Sequence, residues 1–213
     1  MRRILFTPHL DALVVTLSAA GKPAPQRPVE FTAQQQADLD RVNAYLNRVH
    51  TLKSNFVQLG PDGQLDQGTF YIEKPGKLRF AYQPPSPTLI VATGGSVYVR
   101  NSRLNTVDRY DVSDTPLGIL LDCQINLKNN KAVLGVEEQS DALLVHARTS
   151  ANRNQSNITL VFSFPGIELR QWMVKDNQGG TTTVALTGIQ AGVALDPSLF
   201  AVPVKTPPIK QGR

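Results

Sequence analysis

The 213-residue chain holds one cysteine and three histidines, and each scarcity removes a class of function. A single cysteine, Cys123, excludes an internal disulfide and every multi-cysteine metal site. Its neighbours in ILLDCQINL are apolar, so it is expected to be a small buried hydrophobe. Three scattered histidines do not build a metal centre. No GxSxG, P-loop, strand-linked GxGxxG or HExxH occurs, and no nucleophile stands in an activating motif. Glu137 and Glu138 adjoin on an expected strand, so they point to opposite faces and cannot share one substrate. The chain is therefore not expected to be an enzyme, with no catalytic residue, metal or cofactor. Nothing after residue 30 is long and apolar enough for a membrane-spanning helix. Arginine-rich runs are also missing. The net charge of +5 is dispersed, which excludes nucleic acid as a partner and leaves at most a mild pull toward anionic surfaces.

What is present describes one globular domain behind a leader. A content of 41% hydrophobic and 18% charged residues is too apolar for disorder and too polar for a membrane protein. MRRILFTPHLDALVVTLSAAGKPA has two arginines, an apolar stretch and then small residues, the outline of a secretory signal, interrupted by Pro8, His9 and Asp11. GKPAPQRP follows as a proline-rich spacer. Residues 1–30 are assigned to signal and spacer, 31–204 to the domain and 205–213 to a tail.

Inside the domain, Thr32 followed by Gln35 suggests a capping box. Leu39, Val42, Leu46 and Val49 recur at helical spacing, which predicts an amphipathic helix from about Thr32 to His50, with His50 suited to its negative end. Short strands follow, joined by turns such as Pro61-Asp62-Gly63, Pro75-Gly76, Gly94-Gly95 and Asn177 to Gly180. One short apolar helix, Leu117 to Leu121 with Pro116 in its first turn, interrupts them. Strands resume to the end; His146 on one of them has no obvious partner. The class is mainly β with a few helices, and the strands form an antiparallel meander.

GTFYIEKPGKLRFAYQPPSPTLIVATGGSVYVRN alternates like a half-exposed sheet but is too apolar for one. Phe70, Ile72, Leu78, Phe80, Tyr82, Leu89, Val91, Val97 and Val99 all require cover, while Arg79 should point away from the Leu78/Phe80 face. The cover is either an ordinary core or a ligand.

Phe56-Val57-Gln58, Gly68-Thr69-Phe70-Tyr71-Ile72, Lys74-Pro75-Gly76-Lys77-Leu78-Arg79-Phe80-Ala81-Tyr82 and then LIVATGGSVYVRN follow in order. Thr115-Pro116-Leu117-Gly118-Ile119-Leu120-Leu121 and the tail DNQGGTTTVALTGIQAGVALDPSLFAVPV complete the series. Together they resemble the periplasmic carriers of outer-membrane lipoproteins, the LolA family, over about Phe31 to Val204. The resemblance implies an unclosed antiparallel β-barrel covered by an α-helical lid. It implies an apolar cavity for acyl chains, lined by Phe56, Phe70, Ile72, Leu78, Phe80, Tyr82, Leu89, Val91 and Trp172. The lid would comprise Leu39, Val42, Leu46, Leu117, Leu120 and Leu121. The implied role is a monomer in the periplasm that needs no cofactor. It would take acylated lipoproteins or other lipid from an inner-membrane ABC release complex and pass them to an outer-membrane receptor. A binding or sensing module for another hydrophobic ligand on the same fold is the alternative. One departure concerns the lid latch. The family commonly has arginine before the proline of the basic-Pro motif, where it bonds helix carbonyls. Here that position is Lys74, a flexible point donor rather than a planar fork.

Overall fold

The computed structural model describes residues 30–115, 118–148 and 157–204. The expected leader and spacer up to residue 29, the tail from residue 205, Pro116, Leu117 and the strand end at Thr149-Ser150 lie outside the described residues.

The first helix, α1, runs Ala33–Arg48. Thr32 caps it: its hydroxyl accepts from the Gln35 N–H at 3.2 Å, and the Gln35 side chain accepts from the Thr32 N–H at 3.0 Å. The helix ends before His50, which lies beyond the cap residue Val49, so Arg48 is the base in the last turn. Strands β1 (Thr51–Leu59), β2 (Leu65–Glu73), β3 (Lys77–Tyr82), β4 (Thr88–Thr93), β5 (Ser96–Asn101) and β6 (Thr106–Asp111) follow as a meander. A 3-10 turn (Val112–Asp114) leads to α2 (Gly118–Leu121). Strands β7 (Val133–Glu138), β8 (Ala142–Arg148), β9 (Asn157–Ser163), β10 (Leu169–Lys175) and β11 (Thr181–Ala191) form a second meander. The tight turns carry the predicted chemistry. Gly179 has φ +88°, which only glycine adopts freely, and Asp176 accepts from the Gln178 and Gly180 N–H groups.

The two meanders join where β1 pairs antiparallel with β11, Phe56 opposite Leu186. The result is one 11-stranded sheet in the order β6-β5-β4-β3-β2-β1-β11-β10-β9-β8-β7. It is an unclosed antiparallel barrel: β6 and β7 are its two edges, with no strand pairing joining them among the described residues. Side chains alternate between faces. One face holds Leu52, Phe56, Phe70, Ile72, Leu78, Phe80, Trp172, Val184 and Leu186, all buried.

Pairing corrects two expected cavity residues. Phe80 lies opposite Ile90 and Leu78 opposite Ala92, so Ile90 and Ala92 share the inner face. Leu89 and Val91 lie opposite Ala81 and Arg79 and therefore face outward. Because Leu89-Ile90-Val91-Ala92 is apolar on both parities, hydropathy could not choose between them. Val91 is nevertheless fully buried. The C-terminal 3-10 turn Pro197–Phe200 packs over β3 and β4 there. Arg79 Nη1 donates to the Leu199 carbonyl at 2.8 Å, and Lys77 Nζ stands 5.8 Å from the centre of the Phe200 ring. Arg79 thus faces outward as expected, but it fastens the chain's end. Cys123, expected to be buried, is exposed beyond α2.

Candidate functional site

The inner face of the near half is an aromatic cluster. Phe56 and Phe80 meet edge to face at 5.1 Å, while the Phe70 ring lies tilted against Phe80 at 4.6 Å and against Trp172 at 5.5 Å. Tyr82 packs on Phe56 at 5.0 Å, and its hydroxyl donates to Gln58 Oε1 at 2.8 Å. Burial, with Asp66 adding to it, pushes the Tyr82 pKa up to about 12, so the phenol stays protonated and remains a donor. The hydroxyl of Ser54, also buried, is a polar interruption of this face.

A helical layer covers the face. From α1, Leu39, Val42, Tyr45 and Leu46 are buried, and Tyr45 meets Phe162 edge to face at 6.1 Å. From α2 come Leu120 and Leu121, and from the segment after it Ile125 and Leu127. The structure therefore places Leu39, Val42, Leu46, Leu120 and Leu121 against Phe56, Phe70, Ile72, Leu78, Phe80 and Trp172 in one apolar cluster. A four-residue helix such as α2 has no stability of its own. It depends on what it packs against and on its tethers.

Those tethers are polar, and most bind backbone atoms. Lys74 Nζ donates to the Leu46 carbonyl in the last turns of α1 at 2.8 Å. The Gly76 N–H donates to the Leu121 carbonyl at 3.0 Å. Gln35 Nε2 donates to Val136 O on β7 at 3.1 Å. Arg41 donates through Nη2 to the Pro165 carbonyl, and its guanidinium stands 4.8 Å from the centre of the Phe164 ring. Two asparagines stitch the layer together. Asn43 Oδ1 accepts from the Leu127 N–H at 2.9 Å, and Asn47 Oδ1 accepts from the Ile125 N–H at 2.7 Å. The apolar spacing that predicts α1 does not single out Asn43 and Asn47. The available signal was two poor helix formers four residues apart, hence on one face of α1. His146, expected without a partner, has Thr159 Oγ1 at 3.1 Å and Glu137 at 3.7 Å.

Lys74 is an uneasy tether. Burial lowers its pKa from 10.5 to about 8, and the nearby Asp122 carboxylate only partly opposes this. Between those two values the unfolded chain holds more protons than the folded one, so stability rises with pH. The burial cost of the ammonium is carried at and below about pH 8 and is relieved toward 10.5. We expect the urea midpoint of the wild type to climb relative to that of Lys74→Met across this window. Parallel profiles would show that Lys74 is hydrated in the folded state.

The family model described as outer membrane lipoprotein carrier protein LolA matches residues 47–203, from the end of α1 through the C-terminal 3-10 turn. An outer-membrane lipoprotein carrier protein of Methylococcus capsulatus is 26% identical over 169 residues, covering 75% of this chain and 80% of that protein. One from Nitrosomonas europaea is 29% identical over 181 residues, covering 78% and 84%. Among solved structures, a LolA superfamily protein from Nitrosomonas europaea aligns with a TM-score of 0.43 at 10% identity, over 78% of this chain and 97% of that one.

Proposed function

Because the chain belongs to the outer-membrane lipoprotein carrier family, we propose that it binds lipoprotein acyl chains on the inner face of its sheet and shuttles them between membranes. The observation that carries this reading is the cover of that face. The aromatic cluster is closed by α1, α2 and the segment after α2, none of which belongs to the sheet. Such a layer can lift without breaking a strand pair. Each methylene of an acyl chain moved from water onto that face contributes about 0.8 kcal/mol. Displacing lid leucines exposes comparable apolar surface, so loading exchanges one apolar cover for another. Uptake and release then differ by little, as a carrier requires.

Lys74 acts in this reading as the latch at the C-terminal end of α1. A desolvated ammonium bonded to a single carbonyl holds less firmly than a two-pronged guanidinium. The lid of this chain is therefore set to open readily. Phe56, Phe70, Ile72, Leu78, Phe80, Tyr82 and Trp172 would contact cargo, joined by Ile90 and Ala92 in place of Leu89 and Val91. Residues 1–30 would direct the chain to the periplasm. There, as a monomer, it would receive lipoprotein from an inner-membrane ABC release complex and deliver it to an outer-membrane receptor, with no cofactor and no catalysed step.

Mass spectrometry of the organic extract of protein purified from cells that overproduce a lipoprotein tests the cargo. Acylated peptide at near one equivalent is expected. Consistent recovery of a different lipid, or of none, would overturn lipoprotein as the cargo.

A further inference from the structure

Three polar residues are buried among the described residues: Asp38, Ser54 and Ser96. Two of them have partners. The Asp38 carboxylate accepts from Gln34 Nε2 and Arg41 Nη1, and the Ser96 hydroxyl accepts from Arg109 Nε at 2.9 Å. Ser54 differs. It is 2% exposed, and its hydroxyl has no hydrogen-bond partner among the described residues. A buried hydroxyl left unpaired destabilises a fold in a way that alanine at the same place would not.

Its position gives that hydroxyl a use. Ser54 lies on β1, the middle strand of the sheet. It alternates with the buried Leu52 and Phe56, so it faces inward, and it stands opposite Phe70 on β2. On its other side β11 bulges. Lys53 pairs with Gln190 and Asn55 with Thr187, so Gly188 and Ile189 together oppose Ser54. Gly188 holds φ +61°, the left-handed region that glycine adopts freely in a bulge. Bulges interrupt a ladder and re-aim side chains, and they gather beside functional sites. The bulge and the unpaired hydroxyl coincide in the middle of the apolar face.

We propose that the Ser54 hydroxyl is the docking point for the carbonyl of an acyl ester or amide, to which it donates when cargo replaces the helical cover, with the adjoining methylenes on Phe56 and Phe70. This rests on the acyl-carrier reading and adds the group that fixes where the chain lies. Burial of apolar surface is non-directional, so an apolar face alone lets a hydrocarbon slide. A hydrogen bond is directional. A carbonyl that enters the face loses its water and needs a donor in exchange. Ser54 supplies one that has no acceptor in the free protein. The free protein carries the cost of the unpaired hydroxyl and loading relieves it, so the bond contributes to affinity rather than to folding.

Monodecanoylglycerol, an ester, and monodecylglycerol, the matching ether, are both uncharged and differ only in a carbonyl against a methylene. Their affinities for the full chain are read by displacement of aminoanthracene, a fluorescent probe without a carbonyl. Ser54→Ala is expected to lower the ester-to-ether affinity ratio about tenfold, the effect of removing the donor to a buried carbonyl, while ether binding persists. The urea midpoint of Ser54→Ala without ligand should hold or rise, because the unpaired hydroxyl is gone. A residue with a merely structural role would leave the ratio unmoved. An unchanged ratio with both glycerides bound would overturn the docking point and leave acyl carriage standing. A midpoint below that of the wild type would show the hydroxyl already paired in the free protein, and would overturn it as well. Binding of neither glyceride would overturn the acyl reading together with it.

Discussion

Phe80→Asp is expected to leave almost no folded protein. Phe80 is 3% exposed and lies within 4.6–6.1 Å of the Phe56, Phe70 and Trp172 rings. Removing a core aromatic costs about 3–5 kcal/mol before any charge is introduced. An unpaired carboxylate among these rings adds several kcal/mol more. A domain holds about 5–15 kcal/mol in total, so the sum consumes most or all of it. Soluble yield and the urea midpoint read the effect. Phe80→Leu, which keeps the site apolar, should fold with a modest loss. A Phe80→Asp protein near wild-type stability would show that this face is open to water.

Gly68→Ala should be the next most damaging change, although it adds one methyl group. A Cβ at Gly68 would lie 2.2 Å from the Ala81 carbonyl oxygen and 2.8 Å from Phe56 Cε1. The first obstacle is backbone, which cannot rotate aside. The strands β2 and β3 would have to part where Gly68 faces Tyr82. We expect a loss of about 3 kcal/mol, the top of the usual range for overpacking, and a weakened Phe56–Tyr82 contact visible in tyrosine fluorescence. Gly166→Ala is the control, because a Cβ there meets nothing within 4 Å. Equal midpoints for the two variants would contradict the close strand approach at Gly68.

Local signals set the elements of this fold. Thr32 and Gln35 announced the start of α1, and turn residues separated the strands, because these signals act within a few residues. The inner-face residues Phe70, Ile72, Leu78 and Phe80 were legible through alternation, and Phe56 and Trp172 only through the family resemblance. Leu89 and Val91 were not: the pairing of β4 with β3, rather than hydropathy, decides which parity faces inward. Cys123 misled for a related reason. Its apolar neighbours Leu120, Leu121 and Ile125 are buried, but the chain turns at Asp122-Cys123 and carries the thiol to the surface.

Contacts distant in sequence were the least legible. Asn43 and Asn47 meet backbone groups 84 and 78 residues away. Arg79 meets Leu199 across 120 residues. The facing of Arg79 follows from its strand, yet its partner does not, and the residue anchors the chain's end. Lys74 was placed by the motif that contains it. The structure supplies its acceptor, Leu46 O, and the burial that lowers its pKa.

Hydrogen exchange with a triacylated lipopeptide tests the account most directly. In the free protein the amides of Gly118–Leu121 and of the last turns of α1 should exchange faster than those of Leu78–Tyr82, because the helical layer rests on packing and a few tethers while β3 is paired on both sides. Saturation at one lipopeptide per chain should change exchange in the helical layer and leave the β5–β6 edge as it was. Lipopeptide that fails to bind, or that binds without altering the amides of α1 and α2, would contradict the claim that this layer is the movable cover of a cargo face.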